Sequence, residues 1–180
     1  MKWHLRRYGA TMRSMTTQTN IPSKADGYSI APGEGERIWI VGDTMTFKAT
    51  GATTGGKLLL FENLTAPGGG PPPHIHTRED EFFFVLDGTF EIRVAEELLT
   101  LGAGGYAYVP RGTVHNFRNI AETASRILVG FTPAGMEGFF RESGRPATDD
   151  GPAPPVDDDE IARTMAAAPK YGVAAVAFGE

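Results

Sequence analysis

Cysteine is absent from the 180 residues, which excludes disulfides, thiolate metal ligands and cysteine nucleophiles together. Histidine is scarce, with four in the chain, at positions 4, 74, 76 and 115. No apolar run approaches the about 20 residues that cross a bilayer, so no membrane helix and no membrane partner are expected. A basic excess is lacking too: 17 Lys and Arg stand against 22 Asp and Glu, for a net charge of -5. Non-specific phosphate binding needs the opposite field, so nucleic acid is not an expected partner, and the cytoplasm is the default compartment. No Gly-x-Ser-x-Gly element offers a serine nucleophile, and no helix-turn-helix pattern offers DNA binding. The composition, 41% hydrophobic and 22% charged, is that of one globular domain. A chain of this size buries roughly 70% of its unfolded surface, so any metal it binds is free to serve function rather than folding.

Three regions follow from the pattern. Residues 1–27 read as an N-terminal arm, disordered in part; Lys2, Arg6, Arg7 and Arg13 make it basic, and no apolar stretch follows them to form a signal peptide. Met15 opens a more ordinary start, so part of what precedes it is expected to be a translation-start or cloning remnant. Residues 28–133 consist of short alternating or apolar runs punctuated by glycine and proline, at 37–41, 44–50, 57–64, 81–86, 89–94, 106–110, 114–119 and 125–131. That pattern predicts an all-β antiparallel sandwich or barrel, and the Asp87-Gly88 step predicts a hairpin between the runs on either side of it. Residues 134–180 form a C-terminal extension with helices expected at 134–142 and 160–168. Between them, 146–160 carries four prolines, six acids and no base, the composition of an extended solvated connector. Gly51 to Lys57 imitates the start of a phosphate-binding loop, but Leu58 stands where Ser or Thr is required.

The chemistry concentrates in the histidines. His74 and His76, two residues apart, share one face of a strand about 6–7 Å apart along the chain, a spacing that suits two imidazoles on one ion. Glu81 lies five positions past His76, on the opposite face of an unbroken strand, so Thr77 to Asp80 must turn or bulge to bring it round. Phe83 and Val85 then share the face of Glu81, while Phe82, Phe84 and Leu86 take the other. Both faces are apolar, which predicts a strand buried on both sides. His115 follows a Pro110-Arg111-Gly112 turn, and Phe117 and Asn119 share its face. His4 sits in the arm and is assigned no role.

These residues resemble the cupin superfamily. The first motif reads Gly68, five residues, His74-Ile75-His76, four residues, Glu81, six residues, Gly88; the second reads Gly104, five residues, Pro110-Arg111-Gly112, two residues, His115, three residues, Asn119. At this histidine frequency, three histidines at preset offsets arise by chance roughly once in a hundred thousand. The resemblance implies a jelly-roll antiparallel β-barrel with short C-terminal helices, in which His74, His76, Glu81 and His115 ligate one divalent metal: Fe, Mn, Ni, Cu, Co or Zn. Phe83, Phe117 and Phe131 are the expected substrate-contacting aromatics. Within the superfamily the chain looks most like quercetinase-type flavonol dioxygenases, which implies an aromatic or enolic substrate, O2 as co-substrate and Glu81 as the catalytic proton acceptor. The alternatives are a metal-dependent lyase, isomerase or oxalate-type decarboxylase, or a non-enzymatic small-molecule-binding cupin. Pairing through outer strands, common in the superfamily, implies a homodimer.

Overall fold

A computed structural model describes residues 27–176; the expected arm, apart from Gly27, lies outside the described residues, as do Met15 and His4. In chain order, β1 (Arg37–Ile40) and β2 (Asp43–Ala49) form a hairpin, and one helical turn, α1 (Gly51–Thr54), leads to β3 (Leu59–Thr65). Then come β4 (His74–His76), β5 (Asp80–Val85), β6 (Thr89–Val94), β7 (Glu97–Gly102), β8 (Tyr106–Val109), β9 (His115–Asn119) and β10 (Ser125–Thr132). The chain ends with α2 (Glu137–Ser143), β11 (Arg145–Pro146), α3 (Asp158–Ala167), a 3-10 turn (Ala168–Tyr171) and β12 (Val173–Ala175).

Every strand pair is antiparallel, and the strands form two sheets, ordered β11-β1-β2-β3-β10-β5-β8 and β12-β4-β9-β6-β7. This is the jelly-roll barrel the sequence predicts. Val41 and Gly42 turn the first hairpin with φ of 48° and 81°, both left-handed, a conformation that matches the twist of the flanking strands. Alternation sets the core: Leu59, Phe61, Asn63 and Thr65 are all buried on one face of β3, and Phe90 and Ile92 on one face of β6. Phe61 sits at the aromatic centre, 6.0 Å from Phe47, 6.2 Å from Phe131 and 5.2 Å from Phe140 between ring centroids. Through Phe140, α2 closes against the barrel; burying each such ring is worth roughly 1.5–3 kcal/mol.

Two expectations are corrected. Asp87-Gly88 does not turn a hairpin, because β5 lies in one sheet and β6 in the other; the step is a corner between sheets. Asp87 fastens it by accepting the Arg126 amide proton at 2.8 Å, and a Cβ on Gly88 would fall 1.9 Å from Ser125 Oγ, which is why glycine stands there. Strand β5 is buried on one face only: Glu81, Phe83 and Val85 point inward, whereas Phe84 is 38% exposed and Leu86, just past its end, 40%. The segment from 147 to 157 is the largely exposed connector expected, attached at Gly151, where Thr44 Oγ1 donates to its carbonyl at 2.8 Å, and just beyond it, where the Val41 amide donates to buried Glu160. Strand β7, which the sequence reading passed over, pairs with β6 through a turn at Ala95-Glu96 that carries no glycine or asparagine signal. Helix α3 begins at Asp158, where the Asp157 carboxylate accepts the Glu160 amide proton at 2.7 Å.

Candidate metal centre

Strand β4 places His74 and His76, β5 places Glu81 and β9 places His115. The link from His76 to Glu81 is not a bulge: Thr77 to Glu79 carries the chain from one sheet to the other, so the two motif halves face each other across the barrel. A direct register pair sets His74 opposite His115, and Phe131 of β10 lies opposite Glu81. The Pro110-Arg111-Gly112 turn is tied to the same strands, with the Gly112 amide donating to His76 O at 2.7 Å and the Arg111 amide donating to Asp80 at 3.0 Å.

The four ligand atoms lie within 4.8 Å of one another. His74 Nε2 is 3.1 Å from His76 Nε2, His76 Nε2 is 3.4 Å from Glu81 Oε2, and His115 Nε2 is 2.6 Å from the same oxygen. Ligands at right angles on a metal with bonds of about 2.1 Å stand about 3 Å apart, so the spacing fits one ion. The tautomers fit as well. His74 Nδ1 donates to Pro72 O and His115 Nδ1 to Thr113 O, each at 2.9 Å; a carbonyl only accepts, so the protons sit on Nδ1 and the Nε2 atoms face inward.

Electrostatics favour a neutral His74 beside an anionic Glu81. Burial, with the neighbouring His115 and His76, lowers His74 to about 4. Burial alone would raise the Glu81 carboxyl, but the hydrogen bonds to His115 and His76 outweigh it and hold it at about 2. His115 is opposed by burial and raised on balance by its bond to Glu81. Phe131 meets the His76 ring edge-on at 5.1 Å and Phe83 lies 6.3 Å from His115, while Phe117 packs one layer further in, between Phe83 and Phe90.

One element at the site carries no sequence signal. Strand β12 pairs with β4 along its whole length, Val173 opposite His76 and Ala175 opposite His74. A three-residue edge strand a hundred positions away carries no periodic signal, and nothing local could have found it. Glu79, whose sequence position offers a turn residue or a support behind the metal ligands, is 5% exposed. Asp80, expected in the turn, instead opens β5 and is held by Arg111 at 2.9 and 3.3 Å.

A family model described as Cupin domain matches residues 64–131. Quercetin 2,3-dioxygenase of Bacillus subtilis is 31% identical over 83% of this chain and 44% of its own length. Germin-like protein 1-1 of Oryza sativa subsp. japonica is 36% identical over 56% of this chain and 47% of its own. The chain thus spans less than half of these curated relatives. Among solved structures, KdgF from Halomonas sp. aligns at TM-score 0.55 with 21% identity, over 63% of this chain and 99% of that one. An RmlC-like cupin from Shewanella frigidimarina aligns at 0.53 with 20% identity, over 65% and 99%. At these identities the two structures speak for the fold alone. Both motifs, the barrel that brings their histidines and glutamate together, and these similarities lead to one assignment: the chain belongs to the cupin superfamily.

Proposed function

We propose that the chain is a metal-dependent cupin oxygenase of the quercetin 2,3-dioxygenase type, a cytoplasmic homodimer that cleaves an aromatic or enolic small molecule with O2. The observation that carries this reading is the convergence of His74, His76, Glu81 and His115 on one point inside a phenylalanine-walled barrel. When bound there, a divalent transition metal supplies one net positive charge for an anionic oxygen donor such as an enolate or phenolate. Both imidazole contacts to Glu81 fall on Oε2, so Oε1 is the atom assigned to take the substrate hydroxyl proton. Phe83 and Phe131 exclude water beside the imidazoles, and Phe117 supports Phe83 from below. The substrate class draws on the Bacillus relative's name, not on this chain's own contacts. An oxalate-type substrate calls for an arginine on its second carboxylate, and Arg111, beside the histidine strand, is exposed and engaged by Asp80. The homodimer draws support from the outer face of β5 and edge strand β8, where Phe84, Leu86, Tyr106 and Tyr108 are 38–56% exposed.

Quercetin loss by protein loaded with Fe, Mn, Ni or Cu, followed in air and under argon, tests the reading. Oxygen-dependent loss that falls at least about 100-fold in Glu81→Gln is expected. Turnover indifferent to oxygen would move the chain to the lyase, isomerase or decarboxylase class, and tight binding without turnover to a binding module.

A further inference from the structure

Each imidazole that ligates through Nε2 carries its proton on Nδ1, and that N–H needs an acceptor. His74 and His115 meet this demand in the same way, on the carbonyl two residues upstream. His76 does not: its Nδ1 is buried and has no hydrogen-bond partner. Glu79 presents the complementary orphan three residues on, in the crossing between the sheets. Its Oε2 is buried without a partner, and after burial the His76 ring has the largest influence on that carboxyl. The loop after β10 covers it from the other side, since a Cβ on Gly135 would stand 3.5 Å from Glu79 Oε1. A buried carboxylate oxygen and a buried imidazole nitrogen, both unsatisfied, each cost stability unless a third event pairs them.

We infer that Glu79 is a positioning residue: its Oε2 accepts the Nδ1–H of His76, directly or through one water, when His76 turns its Nε2 lone pair to a metal. The inference rests on the metal reading proposed above. It gives the three histidines distinct supports. His74 and His115 are oriented by main-chain carbonyls, which the β-ladders fix, whereas His76 is oriented by a carboxylate, which makes it the most electron-rich of the three ligands. The centre is then asymmetric in its own protein frame.

Glu79→Gln and Glu79→Met test this. Both are neutral, so the difference between them reads the hydrogen-bond acceptor and not the charge; Gln keeps an acceptor and Met does not. Co2+ affinity is measured by chelator competition on the full chain, with the metal-free thermal midpoint recorded for each protein. Glu79→Met is expected to bind Co2+ about 10–100-fold more weakly than the wild type, and Glu79→Gln within about fivefold of it. In the Zn2+-loaded wild type, a slowly exchanging Nδ1 proton of His76 is expected in nitrogen-edited NMR, and it is lost in Glu79→Met. Equal affinity in all three proteins, or an equal loss in both variants together with a lowered metal-free midpoint, overturns the inference and leaves Glu79 a packing residue. A folded wild type that binds neither Co2+ nor Zn2+ overturns the metal reading first, and this inference with it.

Discussion

Asp43 is buried at the far end of the barrel from the candidate metal centre. The register sets it level with Thr65 and Thr65 level with Ser125, six residues along β10 from Phe131, which faces Glu81. Six residues of strand are about 20 Å, so the two acids titrate separately. Burial raises the Asp43 carboxyl from 3.8 to about 7, against the lowering effect of hydrogen bonds from Asn63 and Thr65. A raised carboxyl binds its proton more tightly folded than unfolded, so this contribution to stability is complete below about pH 4 and is lost as pH rises through about 7. Asp43→Asn removes it: urea unfolding should show the wild type losing roughly 2–4 kcal/mol more than the variant between about pH 4 and about pH 8. Parallel profiles would contradict the assignment. At this scale the ligand set was legible, because His74, His76, Glu81 and His115 stand at motif offsets that only a shared site requires. The burial of Glu79 and Asp43 was not, because whether a lone acid is solvated or buried is decided by distant chain segments.

Among the elements, β12 illustrates what local sequence does not reveal. Strand β4 has one register pair with β9, His74 opposite His115, and depends on β12 for its other edge. Further bonds clamp both ends of the pair, Thr77 N to Gly172 O at 2.9 Å and Val176 N to Pro73 O at 3.0 Å. A chain ending at Tyr171 should therefore keep the barrel core but loosen the two histidines. Amide exchange at Thr77 is expected to accelerate, and Co2+ affinity to fall roughly tenfold or more; unchanged values of both would show that β4 needs no clip. Alternation located the longer strands, since Leu59–Thr65 buries every second residue and Thr89–Val94 buries Phe90 and Ile92. It could not say which strand pairs with which. The Asp87-Gly88 step is a sound turn signal that here joins two sheets, and Phe84 and Leu86 on the outer side are exposed because edge strand β8 adds only Tyr106 and Tyr108 there.

The molecule as a whole separates scaffold from site. Its core of phenylalanine, isoleucine, leucine and valine runs through both sheets and needs no ion to close, while the four candidate ligands gather at the mouth where Phe131 and α2 meet. The acidic segment and α3 fasten to the β1–β2 hairpin through Gly151 and Glu160 and so brace the barrel. Among the described residues no helix is long and apolar enough to cross a membrane. The measurement that bears most directly on this division is metal content by elemental mass spectrometry, on untagged wild type and on His115→Ala prepared side by side, with near-ultraviolet circular dichroism on both. The account predicts about one transition-metal ion per wild-type chain, nearly none in His115→Ala, and the same folded spectrum for each. A wild type that takes up no metal on reconstitution, or a His115→Ala chain that is unfolded at room temperature, would contradict it.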